Sequence, residues 1–448
     1  MRQRSRGRVA LAAAAAMCAV AALPGQAYAA DAGYGFDPGA KTVAGAAVNT
    51  DASELTAGSV YRSTIGTGQK LYYRLNLDAT TNAYVSAVVV PKAGGKVAYG
   101  DGVSISIRDG SDLRCSSGDA HFRSTDFPHP VTAYAYRTVD KDSSSCQAAG
   151  TYNVLVERES AATSSTEEWE LELRYDAEPA LADGQAMPTQ APTQWPSASP
   201  VPPTPATDNR RHGGAGYYDA VSLGTGEWKD EIAPGQTLFY RVPVDWGQQL
   251  FTTVGLGNST ASGKNAFVGN ALGLSLANPA RGHVDAASPL SYSGKPGSVS
   301  LDPLPPVAYV NRLASADDVS GMRFAGWYYL AVSLSPKVAK AYGDQPFPLT
   351  LSVKVTGEAG GSPYAGDAGI FAVTKKDKDL ARTGRSGPQA AADESGTMKL
   401  IGAAGVGTGT VLVLGLGAWT LLARRRAAGG SASAASAQSP YGQPPQAW

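Results

Sequence analysis

Chemistry in this chain has few places to start. The 448 residues contain four histidines and three cysteines. His121 and His129 stand near Asp119 and Asp126, where imidazole and carboxylate cluster. Such a group could supply a general base with an orienting acid, the arrangement a hydrolase needs. It has neither the His-x-x-x-His spacing of a zinc site nor a Gly-x-Ser-x-Gly elbow to bring a serine, and the plainer reading is a pair of solvated loop histidines. His212 falls in a proline-rich segment and His283 in a Gly/Asn/Pro loop. Asp101-Gly102 and Asp109-Gly110-Ser111-Asp112 gather oxygens as calcium loops do, although Asp-Gly is also what a tight hairpin turn requires. Walker and dinucleotide fingerprints are missing. The expectation is therefore no catalytic residues, no cofactor and no metal. Cys18 lies in the N-terminal apolar run, which leaves Cys115 and Cys146 as an even pair in an exported chain, so a disulfide is expected. Closing a loop of about 32 residues, it contributes about 3–4 kcal/mol in the chain-entropy picture.

The elements that must position these residues repeat. Gln69-Lys70-Leu71-Tyr72-Tyr73-Arg74-Leu75-Asn76-Leu77-Asp78 returns as Gln236-Thr237-Leu238-Phe239-Tyr240-Arg241-Val242-Pro243-Val244-Asp245, each behind a glycine, Gly68 or Gly235. Alternate apolar positions mark a strand with one face in a core and one toward water. The water-side strip, Tyr72 and Arg74 matched by Phe239 and Arg241, is a candidate ligand surface, or else packs under neighbouring loops. Later landmarks recur in order. Val103–Ile107 corresponds to Leu272–Leu276, Thr132–Tyr136 to Val307–Val310, Gly150–Val156 to Gly326–Val332, and Trp169–Arg174 to Phe347–Val355. The stretch holding Cys115, His121, His129 and Cys146 reads as loop-rich. No segment has a capped 3.6-residue apolar period. The fold class expected is all-β: two tandem β-sandwich, jelly-roll-like domains at 51–176 and 214–357, plus one C-terminal transmembrane helix.

The flanking segments set the location. Arg2, Arg4, Arg6 and Arg8, an apolar run from Val9 to Leu23 and Ala27-Tyr28-Ala29 form a secretory signal peptide over residues 1–29. Residues 177–213 read as a proline-rich, semi-rigid spacer, and 358–399 as a flexible stalk. Leu400–Ala423 is uncharged and long enough to span a bilayer, followed by Arg424-Arg425-Arg426 and a tail to 448. That order places the ectodomain outside and the tail in the cytoplasm of a single-pass cell-membrane protein. Gly405 and Gly409 could let two spans approach, giving a weak homodimer. Setting aside the four signal arginines and the three beyond the span leaves 31 basic against 38 acidic residues, a sign that gives no electrostatic reason to bind nucleic acid or anionic wall polymers, so no nucleic-acid partner is expected.

The Gly-Gln-x-Leu-x-Tyr-Arg strand and the late Gly-x-Tyr-x-Leu-x-Val strand resemble the bacterial pre-peptidase C-terminal family. The matching residues are Gly68, Gln69, Leu71, Tyr73, Gly150, Tyr152 and Val154, then Gly235, Gln236, Leu238, Tyr240, Gly326, Tyr328 and Leu330. The resemblance implies small secreted β-sandwiches that accompany other exported proteins without catalysing anything. Both copies carry insertions, around 94–102, 114–149 and 258–270. Leu380-Ala381-Arg382-Thr383-Gly384 resembles the sorting signal of class E sortases, which implies wall attachment through Thr383. The functional reading is a non-catalytic surface binding or scaffolding protein with an extracytoplasmic protein or glycan ligand. The alternatives are a hydrolase using His121 and His129, an accessory subunit of a membrane secretion or signalling complex, or a sortase-anchored wall protein.

Overall fold

The computed structural model describes residues 33–140, 143–183, 188–198, 200–201, 209–260 and 266–392. The expected signal peptide, the expected span with Gly405 and Gly409, and the tail lie outside the described residues. Among the described residues no helix is long and apolar enough to cross a membrane. The fold is predominantly β.

The first repeat contains β1 (Lys41–Thr42), β2 (Ser53–Glu54), β3 (Ser59–Ile65), β4 (Lys70–Leu77), β5 (Ala83–Val90), β6 (Gly102–Arg108), β7 (Arg114–His121), β8 (Val131–Arg137), β9 (Gly150–Glu159) and β10 (Trp169–Ala177). They form sheet I, ordered β2-β4-β9-β6-β7, and sheet II, ordered β1-β3-β10-β5-β8. The second repeat contains β11 (Val221–Ser222), β12 (Gly226–Ile232), β13 (Thr237–Val244), β14 (Gln249–Leu256), β15 (Val268–Ala277), β16 (His283–Ala286), β17 (Leu290–Tyr292), β18 (Gly297–Ser300), β19 (Gly326–Leu334) and β20 (Phe347–Thr356). Sheet III is β11-β13-β19-β15-β16, with β17 also on β15, and sheet IV is β12-β20-β14-β18. Sheets III and IV repeat the strand orders of I and II. Short helices among the described residues, α1 (Asp317–Ser320), α2 (Lys337–Tyr342) and α3 (Lys375–Thr383), belong to the second half, where residues 387–392 are helical too.

Each residue of the repeated signature has a physical task. Gly68 and Gly235 take φ of +65° and +85°, which a side chain would strain. Gln69 and Gln236 fold back so that Oε1 accepts from the N–H of Gly66 (2.7 Å) and Ala233 (2.9 Å), closing the turn before the strand. Tyr73 donates to Ser63 Oγ at 3.1 Å, and its counterpart Tyr240 to Asp230 Oδ2 at 2.6 Å. Gly45 and Gly213 let the chain cross under these rings: a Cβ there would lie 2.8 Å from Tyr73 Oη or from Tyr240 Cζ. Tyr152 and Tyr328 each donate to the carbonyl four residues back, Ala148 and Phe324, both at 2.7 Å.

Four sequence expectations are corrected. Val307–Val310 is not the counterpart of Thr132–Tyr136: it runs into a 3-10 turn, Tyr309–Leu313, and the topological partner of β8 is β18. Cys115 and His121 lie on a strand, β7, where hydrogen bonds to β6 override its polar sequence. The stalk is folded through residue 392. Tyr364, Phe371, Ala381, Ser386 and Ala390 are buried, and α3 carries a capping box between Thr374 and Asp377. The spacer pairs with other elements at both ends. Leu181 bridges Tyr364, Arg210 bridges Lys229, and Trp195 donates to Pro303 O at 2.7 Å. Extended proline-rich backbone retains free carbonyls, and edge strands offer them partners.

Candidate functional site

The water side of sheet II does not face water. It packs on the outer face of sheet III, so the layers stack I, II, III, IV. Val88, Tyr34, Tyr217, Ala220, Phe239, Ala277 and Tyr329 form one apolar cluster across this seam. It explains why β5 is buried on both faces along seven of its eight residues. Within it lies an ion pair, Arg281 Nη1 to Glu172 Oε1 at 2.6 Å, with side chains 3% and 0% exposed. Tyr34 Oη donates to the same carboxylate at 2.9 Å, and Arg281 stacks 4.6 Å over Tyr217. Burial, the largest single influence, lowers the Arg281 pKa, but Glu172 together with Tyr34, Tyr329 and Tyr217 outweighs it and raises the value. Burial and Glu172 together push the Tyr34 hydroxyl well above its ordinary range.

A second polar centre joins four parts of the chain. Glu178, where the spacer leaves β10, accepts from Tyr84 Oη (2.6 Å), Asn82 Nδ2 (2.7 Å) and Tyr364 Oη (2.8 Å). Buried Arg323 lies about 5 Å from the rings of Tyr84, Tyr136 and Phe324 and donates to Tyr134 Oη at 3.1 Å. Phe371, from the segment after β20, closes over Phe324 at 4.5 Å. Further along, Trp327 donates to Asp377 on α3 at 3.0 Å, and Lys378 pairs with Asp245 at 3.0 Å. The C-terminal segment is a strap across both repeats.

At the rim of the seam a cleft of about 690 Å³ is lined by Tyr34, Phe36, Arg62, Val90, Lys92 and Glu168, among others. The N-terminal segment that forms one wall is held by the second repeat, Gly35 N–H donating to Ala215 O at 3.2 Å. Arg62 sits 4.3 Å over Phe36 and pairs with Glu170. The cleft therefore offers an aromatic edge with charges of both signs, suited to a polar ligand of mixed character.

The sequence candidates are placed as follows. His121 Nε2 meets Asp119 Oδ2 at 3.0 Å, so one predicted pair forms. His129 does not join it: its ring sits between Phe122 and Phe127 with Nδ1 2.9 Å from Phe127 O, and burial lowers its pKa. Among the described residues no group of three or more His, Cys, Asp or Glu side chains is arranged to hold a metal ion. Asp101 is buried and accepts from Ala98 N–H and Ala161 N–H. Asp109 accepts from the N–H groups of Ser111 and Leu113, and Asp112 pairs with Arg108 at 3.1 Å. Asp109 and Asp112 thus work within their own turn, and Asp101 ties its turn to the segment after β9. Cys115 and Cys146 are bonded as a disulfide with Cα atoms 5.7 Å apart. It pins the loop whose Cys146 carbonyl accepts from the fully buried Arg137 at 2.7 Å.

The candidate strip divides between the repeats. Phe239 and Arg241 are buried, the first in the seam and the second 4.1 Å over Trp327. Tyr72 and Arg74 stay part-exposed, Arg74 facing Glu54 at 3.5 Å. Leu380–Gly384 forms the last turn and left-handed cap of α3, with Thr383 Oγ1 donating to Asp379 O and Leu380 O. Sequence reasoning missed Glu172, Arg281, Glu178 and Arg323. The one signal was β5, whose run Ala83–Val90 is apolar on both faces.

No protein-family model matches the chain, and no curated protein matches it. Solved structures give likenesses of low score. The tandem CBM22-1–CBM22-2 domains of Paenibacillus barcinonensis Xyn10C align at 10% identity over 68% of this chain and 92% of that one, TM-score 0.19. The CUB1-EGF-CUB2 region of human MASP-1/3 aligns at 8% identity over 65% and 99%, TM-score 0.17. The ANX1 ectodomain of Arabidopsis thaliana aligns at 9% identity over 66% and 82%, TM-score 0.16. Scores of this size carry no argument from these proteins to this chain.

Proposed function

We propose that the protein is a non-catalytic cell-surface binding or scaffolding protein. It displays its fused double sandwich outside the membrane on the span Leu400–Ala423, and its modules are of the pre-peptidase C-terminal type. The observation that carries this reading is the seam. Two modules that the sequence presents as beads on a spacer are locked face to face by a buried ion pair and an apolar cluster. Such a unit holds a ligand-contacting surface at fixed geometry. The disulfide supports an oxidising compartment, and the cleft at the rim supplies a place for a protein or glycan contact. The alternative of a hydrolase centred on His121 and His129 gains no support from a pair in which only His121 meets a carboxylate.

The test is a pull-down of full-length protein, tagged after Trp448, from membranes, beside variants Phe36→Ala and Arg62→Ala. The expected result is membrane retention and a captured partner lost in both variants. An activity on an exported substrate that disappears in His121→Ala would overturn the reading, as would recovery of the tag in the cytosol with the ectodomain unprocessed.

A further inference from the structure

Midway along its course the proline-rich spacer meets the second sandwich at a contact built like a binding site. Past β18 the chain stays beside β14: Leu301 N–H donates to Thr252 O at 3.1 Å and Val307 N–H to Gln248 O at 2.8 Å. Between those bonds runs Asp302-Pro303-Leu304-Pro305-Pro306, whose three prolines have no N–H to give the neighbouring strand. Gln249 acts in their place, donating from Nε2 to Leu304 O at 2.7 Å. The same nitrogen donates to Pro196 O in the spacer, also at 2.7 Å, and Trp195 Nε1 donates to Pro303 O at 2.7 Å. Gln249 is 3% exposed, whereas Thr193, Gln194, Pro196, Ser197 and Ala198 are all exposed. A buried amide and a part-buried indole hold a strand that otherwise lies in solvent.

The contact selects among sequences. The spacer carries Pro-Thr-Gln-x-Pro twice, at 188–192 with Ala191 and at 192–196 with Trp195, and the copy with the indole is the one seated. A strand that offers no carbonyl at the Pro196 position leaves a Gln249 N–H buried without an acceptor, which penalises the wrong occupant. The first repeat uses the equivalent position for the same purpose. Trp169 faces Ile65 as Phe347 faces Ile232, which aligns Ala83 with Leu250 and Asn82 with Gln249. Asn82 Nδ2 donates to Glu178, at the start of the spacer, at 2.7 Å. The seated strand is also free to leave. Ala182 N–H donates to Pro363 O at 2.9 Å and Asn209 O accepts from Lys229 N–H at 2.8 Å; Trp195 follows Ala182 by thirteen residues, and Pro196 precedes Asn209 by thirteen. A released tip stays tethered at both ends, and neither sandwich has to unfold.

We propose that the second sandwich carries a binding site for an extended proline-rich strand with a tryptophan before a proline, and that Trp195–Pro196 is its built-in occupant, exchangeable for such a strand on a partner protein. Exchange with the spacer of a second copy replaces one contact by an identical one and gains nothing, whereas a partner strand brings contacts of its own. The tethered occupant makes the site self-blocked, so that only a strong or densely presented ligand displaces it. The inference deepens the protein-binding side of the reading above by naming a ligand class, at a place apart from the rim cleft.

The test uses full-length protein in detergent micelles and two labelled, end-capped peptides from the spacer itself: residues 192–196 and, as the control without the indole, residues 188–192. In Trp195→Ala the site is open, and the first peptide binds saturably by fluorescence anisotropy. Wild-type protein binds it at least about fivefold more weakly, since the tethered strand competes at an effective concentration on the order of millimolar. The control binds Trp195→Ala at least about tenfold more weakly than the first peptide, as loss of an aromatic anchor requires. Adding Gln249→Leu to Trp195→Ala abolishes binding, with the thermal midpoint showing that the protein is folded; if that variant does not fold, the two peptides on Trp195→Ala decide alone. Equal binding by wild type and Trp195→Ala, no discrimination between the peptides, or no saturable binding overturns the proposal. So does a wild-type dimer that the first peptide dissociates, which would assign the site to a second copy. Any of these failures leaves the rim cleft to its own experiment, since the two sites share no residue.

Discussion

Replacing Arg281 with Met tests the seam directly. The substitution removes the countercharge from Glu172, whose side chain is fully buried, and leaves only Tyr34 Oη at 2.9 Å and the Asp37 N–H at 3.3 Å to compensate. Removing one partner of a buried pair costs about 3–5 kcal/mol, because the remaining charge keeps its desolvation cost without its attraction. Arg281 also fills space over Tyr217, which Met largely replaces. For a unit of this size the loss lowers the thermal midpoint by roughly 4–7 °C. There is a ceiling: if the seam opens, Glu172 reaches water and the cost stops at the free energy of the interface. Urea titration followed by circular dichroism and by tryptophan fluorescence separates the two cases. A single shifted transition means that the seam holds, whereas two transitions mean that the repeats have come apart. Glu172→Leu with Arg281→Met removes both charges and recovers most of the loss. A loss below about 1 kcal/mol in Arg281→Met, the range of an exposed pair, or a double variant no better than the sum of the singles, would refute the buried-pair reasoning.

Other outcomes follow from the same structure. Reducing the Cys115–Cys146 bond, or replacing both cysteines with serine, costs about 2–4 kcal/mol in urea titration. Gly45→Ala and Gly213→Ala each cost about 1–3 kcal/mol by forcing a Cβ against Tyr73 or Tyr240, read from the denaturation midpoint. The histidines act in opposite senses. Burial holds His129 and His283 below the usual imidazole range, so their contribution is intact above about pH 6.5, the unfolded value, and is lost as pH falls through their lower folded values. The bond to Asp230 raises His212, whose contribution is present below about pH 6.5 and lost as pH rises through its folded value. Urea midpoints across about pH 5–8 check both signs: His129→Phe flattens the acid-side loss, and His212→Gln removes the part lost on the alkaline side.

The repeated strand was legible because its tasks are local. A left-handed glycine, a glutamine closing the preceding turn and a tyrosine on the core face are all set within a few residues. Alternation also identified the core face of β4, β6, β10, β13 and β20, whereas β3, β7, β12 and β14 escaped the sequence reading. What it could not decide is the fate of the other face. Glu170 and Glu172 look alike in Trp169–Arg174, yet Glu170 is part-exposed and Glu172 fully buried. Only a partner 109 residues away, on a five-residue loop, makes the difference. The strap was illegible for a related reason. Its anchors, Tyr364, Phe371 and Ala381, are sparse among Gly, Ala and charge, and its stability comes from pockets the rest of the chain provides. The disulfide was readable from cysteine count alone, whereas the cleft, which depends on the N-terminal segment being held by the second repeat, had no local signature.

The strap also has a consequence in time. The core of the second repeat includes Tyr84 from the first and is covered by Tyr364 and Phe371 from beyond the second. A polypeptide made N-terminus first presents Tyr84 and Tyr134 well before residue 371 arrives, and until then that aromatic sheet face of the first sandwich has no cover from the strap. Domains fold as units in order of emergence, so the first sandwich has all of its own strands before the strap exists to cover this face. It carries Ser86, Glu172 and Arg174 on that same face, a polar admixture that keeps a waiting sheet from adhering to its neighbours. The residues that look misplaced in the finished seam thus serve the half-made chain.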